Sequence, residues 1–213
     1  PNFGYKHYLK VLGERPIEGL DLASVRLIFN GAEPISVELC EEFLTRLAPA
    51  RLPRNAMYPV YGLAEASLAV SFPPPGAPMR TIALNRHRLG VGSAVELIDK
   101  GSRDAVQLVS EGRAIPYCNI RIADDEDRPL PEGRIGNLHM RGDNVTRGYF
   151  ESPEVDAAAF TADGWLRTGD LALVHQGDLY VSGRAKEIIF VNGQNYYPHD
   201  LEAVAKRIEG LER

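Results

Sequence analysis

The sequence predicts a mixed fold: a parallel α/β unit followed by a small, distorted antiparallel β-barrel. Three observations predict it. An apolar run, a helical pattern and a second apolar run follow one another between residues 25 and 61. Alternating apolar and polar segments recur between residues 119 and 181, with turn residues between them. The 20 Gly and 15 Pro among 213 residues exceed average usage, which gives about 26 for that length. Such an excess suits a chain cut into many short strands.

The elements follow in order. Val25-Arg26-Leu27-Ile28-Phe29 is a short apolar run that stops at Asn30-Gly31, so it predicts a buried strand. Pro34 and Ser36 then open a helix, with Ser36 as N-cap, Glu38 in the first turn, and Val37, Cys40, Phe43, Leu44 and Leu47 at helical spacing. A second strand is expected over residues 56–61. Strand, helix, strand predicts a parallel crossover, and ligands of such sheets bind just beyond the strand ends.

Residues 73 to about 107 begin Pro73-Pro74-Pro75-Gly76 and carry Arg80, Arg86, His87 and Arg88. They read as an insertion or extended loop rather than a core element. Beyond them, residues 119–124 and 135–140 alternate, and residues 171–174 and 179–181 flank His175-Gln176-Gly177-Asp178 as a hairpin. Ser152-Pro153-Glu154 starts a helix that ends near Phe160. A strand over residues 188–191, a turn at Asn192-Gly193 and a helix over residues 200–208 close the chain.

Composition excludes several classes. Lys plus Arg is 24 against 29 Asp plus Glu, a formal charge of −5, with no basic run. That argues against a nucleic-acid partner. Cys40 and Cys118 show no CxxC spacing, so neither a disulfide framework nor a thiolate zinc site is expected. A reducing, cytoplasmic setting fits best. The longest apolar stretch, residues 57–72, is broken by Glu65 and is too short for a membrane span. The first residues lack the features of a signal peptide.

Four strings carry candidate chemistry. Tyr61-Gly62-Leu63-Ala64-Glu65 places a carboxylate in a turn after a strand, where a hard cation with phosphate ligands would accept it. It also reads as a strand terminus with a solvated Glu. Asn30-Gly31-Ala32-Glu33-Pro34 lets backbone approach a flat ligand, or is an ordinary strand-to-helix turn. In Gly164-Trp165-Leu166-Arg167-Thr168-Gly169-Asp170-Leu171 the Asp suits ribose hydroxyls, or is a turn residue before a hairpin. Gly183-Arg184-Ala185-Lys186-Glu187 offers cations for phosphate or ribose, or is a solvated cluster joining two domains.

In this order the strings resemble the adenylate-forming superfamily, which joins carboxylic acids to AMP. The resemblance runs from Val25 to the end of the chain. Phe29-Asn30-Gly31-Ala32-Glu33-Pro34, Ala64 where the family usually has Thr, the segment from residue 73 to about 107, and Gly193-Gln194-Asn195-Tyr196-Tyr197-Pro198 resemble fatty acyl-AMP ligases in particular. The resemblance implies that Gly31, Ala32 and Glu33 line an adenine pocket and that Tyr61 stacks on the base. It places Gly62, Leu63 and Ala64 along the nucleotide, with Gly62 allowing close backbone approach. It implies that Glu65 helps hold Mg²⁺, that Asp170 binds the ribose hydroxyls with help from Arg184, and that Lys186 is the hinge of a C-terminal lid. The residues Gly142-Asp143-Asn144-Val145 and Gly148-Tyr149 match a structural turn of the family, with no catalytic role expected.

Two family features are missing. Nothing matches the glycine-rich phosphate loop, and no Lys follows Lys206 to serve as the catalytic lysine of the lid. The chain is therefore expected to be part of a longer protein. Its expected organisation is an α/β part (residues 1–72), the insertion or loop (73–108), the barrel (109–185) and the beginning of the lid (186–213). The resemblance implies ATP and Mg²⁺ as cofactors and a fatty acid as substrate. It implies an acyl carrier protein, or a polyketide or peptide synthase carrier domain, as acceptor. An acyl-CoA ligase is the neighbouring alternative. A non-catalytic adenylate-binding module is the alternative for the isolated chain.

Overall fold

The computed structural model describes residues 1–187, 189–191 and 194–196, with single positions at 201, 205 and 208. The turn at Asn192-Gly193, the pair Tyr197-Pro198 and the body of the helix expected over residues 200–208 lie outside the described residues.

The chain opens with a helix that the sequence reading did not anticipate, α1 (Asn2–Leu12). Tyr5, Leu9 and Leu12 form its inner stripe and pack on the helix α2 described next. Strand β1 (Ile28–Asn30) is followed by α2 (Val37–Leu47) and β2 (Met57–Pro59). Strands β1 and β2 pair in parallel, Ile28 opposite Met57 and Asn30 opposite Pro59, so the expected crossover is present. The Ser36 hydroxyl caps α2 by accepting from the Leu39 N–H at 3.2 Å. Helix α2 buries Leu39, Cys40, Phe43, Leu44 and Leu47 on one face. Each of the buried Leu and Phe side chains stabilises by about 1.5–3 kcal/mol relative to exposure.

The strand expected over residues 56–61 divides at Val60. Its second part, β3 (Tyr61–Leu63), turns back antiparallel to β4 (Leu68–Phe72). The chain then corrects a second expectation. Residues 73–107 are not an extended loop outside the core. They hold β5 (Thr81–Asn85), which pairs antiparallel with β6 (Ala105–Val109) over five residues. Leu84, Leu89, Val106 and Leu108 are buried with Ile135, Leu171 and Leu173 in one cluster. The strands pair across a connection of about twenty residues, too far apart for a hairpin signal, and the Pro-rich approach masks them.

The short β7 (Arg113–Ala114) pairs with β4. Strands β8 (Cys118–Ala123) and β9 (Gly136–Gly142) match the alternating segments. Helix α3 (Pro153–Ala159) follows, and the Ser152 hydroxyl bonds the Phe150 carbonyl at 3.0 Å instead of capping it. Strands β10 (Leu166–His175) and β11 (Asp178–Arg184) form the expected hairpin, closed by Gln176-Gly177 with both φ positive. These four strands make a sheet in the order β11-β10-β9-β8. The Glu111 N–H donates to the Leu179 carbonyl (2.9 Å) and the Leu179 N–H to the Gly112 carbonyl (2.7 Å). Those bonds carry β11 on toward β7, β4 and β3 and give the unit its distorted barrel shape. Val70, Leu138, Met140, Leu166, Ala172 and Leu179 fill its interior. A last antiparallel pair, β12 (Ile189–Val191) and β13 (Gln194–Tyr196), follows.

Cys40 and Cys118 are buried free thiols. No described helix is long and apolar enough to cross a membrane.

Candidate functional site

Parallel strands β1 and β2 end side by side, and their ends form a lip. The Val60 N–H donates to the Asn30 carbonyl at 2.8 Å, so residues 31–34 and 61–65 leave the sheet as neighbours. Such a crevice, beyond the carboxyl ends of parallel strands, is where α/β sheets accept ligands. Gly31 is partly open there, and Ala32 and Glu33 are exposed. Ala32 has a φ of 69°, a conformation a non-glycine residue keeps only when its surroundings hold it.

Helix α1 supplies that support. The Asn2 side chain donates to the Pro34 carbonyl (2.7 Å) and accepts from the Ser36 N–H (3.2 Å). The Tyr5 hydroxyl donates to the Phe29 carbonyl at 2.5 Å. Glu33 accepts from the Phe3 N–H at 3.3 Å.

The absence of side chains at Gly31 and Gly62 has a cause inside the chain. A Cβ on Gly31 would stand 2.6 Å from the Val60 carbonyl oxygen, and one on Gly62 only 1.7 Å from that of Leu68. Both glycines allow the backbone of the lip to fold on itself. Leu63 packs its side chain against the barrel interior, and Ala64 is exposed.

Tyr61 points across from β3 to β10. Its hydroxyl donates to Asp170 Oδ2 at 2.5 Å, and both residues are buried. Arg184 Nε lies 3.2 Å from Asp170 Oδ1, with the Arg184 side chain otherwise exposed. The hairpin register explains the pairing, because Asp170 stands opposite Arg184 across β10 and β11. Burial raises the Asp170 carboxyl above its ordinary range, while the Tyr61 hydrogen bond and the Arg184 charge pull it down. Burial, then the neighbouring Asp170, raises the Tyr61 hydroxyl, which stays a donor. Three of the expected residues thus form one unit.

Glu65 sits in the short turn between β3 and β4, half-buried. Its Oε1 accepts from the Tyr149 hydroxyl at 2.8 Å, and its carbonyl accepts from the Thr146 N–H at 2.7 Å. Asn144 clamps the same turn by donating to the carbonyls of Ala66 (3.1 Å) and Ala69 (2.8 Å). Among the described residues no group of three or more His, Cys, Asp or Glu is placed to hold a metal. A single rim carboxylate nevertheless fits Mg²⁺, which keeps its waters and takes one or two carboxylates beside substrate phosphates. Lys186 is exposed in the turn Ala185–Glu187 directly after β11.

Three contributors escaped the sequence reading. Asn2 lies on an unexpected helix. Tyr149, placed in a purely structural turn, contacts Glu65 directly; its hydroxyl is raised first by that hydrogen bond. Glu111 is buried at 5% exposure, and its one signal is an acid embedded after the apolar run of β6. A concavity of about 500 Å³ lined by Arg141, Asp143, Thr146 and Phe160 contains none of the expected site residues.

Comparison with known proteins bears on this arrangement. Residues 4–150 match the family described as AMP-binding enzyme. The chain is 38% identical over 222 aligned residues to 4-hydroxyphenylalkanoate adenylyltransferase of Mycobacterium tuberculosis, covering 99% of this chain and 35% of that protein. It is 36% identical to the long-chain-fatty-acid–AMP ligase FadD26 of the same species, covering 99% of this chain and 38% of that one. A solved structure from a study of fatty acyl-adenylate ligases of E. coli and L. pneumophila superposes with a TM-score of 0.87 at 32% identity, covering 98% of this chain and 38% of that chain. The chain therefore spans little more than a third of the length of the relatives it matches. With the family match covering more than half of its residues, and the parallel lip and the Tyr61–Asp170–Arg184 unit in place, the chain belongs to the AMP-binding enzyme family.

Proposed function

We propose that this chain carries the nucleotide half of an acid–AMP ligase acting on a fatty acid. The observation that carries the reading is the joined unit of Tyr61, Asp170 and Arg184 beside the parallel lip. Asp170 already holds its carboxylate toward two donors, and its remaining lone pairs suit vicinal hydroxyls. Gly31, Ala32 and Glu33 form the adenine side of the lip, with the largely buried Tyr61 beside it. Gly62, Leu63 and Ala64 give the backbone path to Glu65.

In the proposed reaction an oxygen of the fatty-acid carboxylate attacks the α-phosphorus of ATP, and the bond to pyrophosphate breaks. The chain's contribution is positioning and charge neutralisation. Mg²⁺, held in part by Glu65, would supply positive charge beside the phosphates. Tyr149 orients the Glu65 carboxylate, and Asn144 holds the turn that carries it. The thiol of a carrier-protein phosphopantetheine arm, losing its proton, then attacks the acyl carbonyl, the bond to phosphate breaks and AMP leaves, with Lys186 as the hinge of the lid. The 86–88 turn lies against β13, the segment beyond that hinge. This contact supports a restraining role for the 73–107 segment.

The identity of 38% to a 4-hydroxyphenylalkanoate adenylyltransferase favours a second reading, in which the acid ends in an aryl group. Fatty-acid-dependent exchange of labelled pyrophosphate into ATP by the complete protein tests the activity. Exchange with dodecanoate supports the first reading, exchange only with an aryl-alkanoate supports the second, and no exchange with either contradicts both.

A further inference from the structure

Glu111 is a buried acid that the proposed reaction does not use. It lies between β6 and β7, where its backbone N–H is bonded to the Leu179 carbonyl of β11 at 2.9 Å. The side chain is buried, and its Oε2 is a buried oxygen without a hydrogen-bond partner among the described residues. A carboxylate anion in that position would leave charge unsatisfied in a low dielectric, which disfavours the anion.

The groups that face it are few. Asp170 of β10 and Tyr61 of β3 are near enough to exchange electrostatic influence with it, and the Val181 N–H of β11 donates a hydrogen bond to its carboxyl, which works against the burial. Its chain neighbour Ser110 donates to Asp178, which Arg80 and Arg113 already neutralise. Arg184 is engaged by Asp170. Among these groups no cation is assigned to Glu111.

We propose that Glu111 is a positioning residue: a neutral carboxylic acid buried within electrostatic reach of Asp170, so that Asp170 holds its charge against Arg184 with no second buried anion near it. The inference rests on the nucleotide-site reading above. Burial first, and the Asp170 charge second, hold Glu111 well above the ordinary carboxyl range, which agrees with the neutral form. Bound nucleotide adds negative charge nearby and favours the protonated acid further. ATP affinity is therefore linked to one proton on Glu111.

Glu111→Gln supplies a neutral side chain of the same size. The experiment measures the dissociation constant for ATP with Mg²⁺ in the complete protein and in this variant, from pH 7 to 10, with no acid substrate. The variant should bind ATP within about twofold of wild type at pH 7. Wild type should then weaken with rising pH, by about tenfold for each unit by which nucleotide raises the acid's titration, while the variant stays flat. Parallel profiles overturn the proposal.

Urea unfolding of the same samples reads the proton without nucleotide. The native chain holds a proton that the unfolded chain releases, so wild type should lose midpoint relative to the variant as pH rises from 5 to 9. Equal slopes overturn the neutral acid. Should Glu111→Gln not fold, Glu111→Met answers the same question, and failure of both neutral variants to fold contradicts the proposal. A wild type that binds no ATP at pH 7 contradicts the nucleotide-site reading itself, which the urea series does not depend on.

Discussion

Tyr61 and Asp170 are 109 positions apart in sequence, and the Tyr61 hydroxyl donates to the Asp170 carboxylate at 2.5 Å in a buried contact. The bond ties β3, the strand that follows the parallel lip, to β10 on the other side of the barrel. It turns an aromatic residue of the lip into a support for the carboxylate.

Tyr61→Phe separates those two roles. The ring remains and the donor is lost. A hydrogen bond to a charged group contributes about 1.5–3 kcal/mol, so the Michaelis constant for ATP in the complete protein should rise by about 10- to 100-fold. An unchanged constant would show that the hydroxyl does not serve the nucleotide site. Asp170→Asn should cost at least as much, because it removes the charge from both the site and Arg184.

Gly62→Ala should be among the most damaging small substitutions in the barrel. The added carbon would stand 1.7 Å from the Leu68 carbonyl oxygen, so β3 and β4 must separate. A loss at the upper end of overpacking costs, about 3 kcal/mol, is expected. Thermal unfolding checks it, and a melting temperature within 2–3 °C of wild type, roughly the shift from 1 kcal/mol in a protein of this size, would contradict the packing described.

Asn144→Ala releases the turn that carries Glu65. Two hydrogen bonds to the Ala66 and Ala69 carbonyls are lost, for about 1–3 kcal/mol of stability. Tyr149→Phe leaves the turn and removes only the bond to Glu65. It should shift the Mg²⁺ titration of adenylation several-fold with little change in unfolding. An identical titration would remove Tyr149 from the site.

The barrel should weaken in mild acid through His139. This side chain is 1% exposed, and its Nδ1 accepts from Arg121 at 3.3 Å. Burial first, then the Arg121 charge, lower its pKa. The unfolded chain then binds a proton that the native chain refuses, so stability is full above about pH 6.5 and falls as pH drops below it. The urea midpoint should decline from pH 7 to 5, and His139→Gln should flatten that decline. A decline of equal slope in the variant would place its cause elsewhere.

The 86–88 turn is expected to act on the acceptor. Deleting residues 73–107 is not a usable test, because Leu84, Leu89, Val106 and Leu108 belong to the core. His87→Ala with Arg88→Ala removes two exposed side chains of the turn and should allow coenzyme A to discharge the acyl-AMP. Continued exclusion of coenzyme A by this folded variant would deny the segment a gating role.

Local signals made the α/β unit and the β10–β11 hairpin legible. Ser36 and Glu38 mark the start of α2, and Gln176-Gly177 marks the turn between β10 and β11. The pairing of β5 with β6 was not legible, because the strands meet across an intervening stretch and only the tertiary structure shows their shared core. Helix α1 was missed although Tyr5, Leu9 and Leu12 follow helical spacing, since its start has no side-chain cap. Within the site, Tyr61, Asp170 and Arg184 were each visible as residues of a string. Their contact was not, because it joins the two halves of the chain. Glu111 stayed hidden because an acid in a sequence reads as solvated until its burial is known.

One measurement bears most directly on the central claim that this chain forms the adenylate site of a fatty-acid–AMP ligase. The complete protein is incubated with labelled dodecanoate, ATP, Mg²⁺ and coenzyme A, and the products are separated. Dodecanoyl-AMP that accumulates in the presence of coenzyme A is the predicted result. Formation of dodecanoyl-CoA, or of neither product, would contradict it.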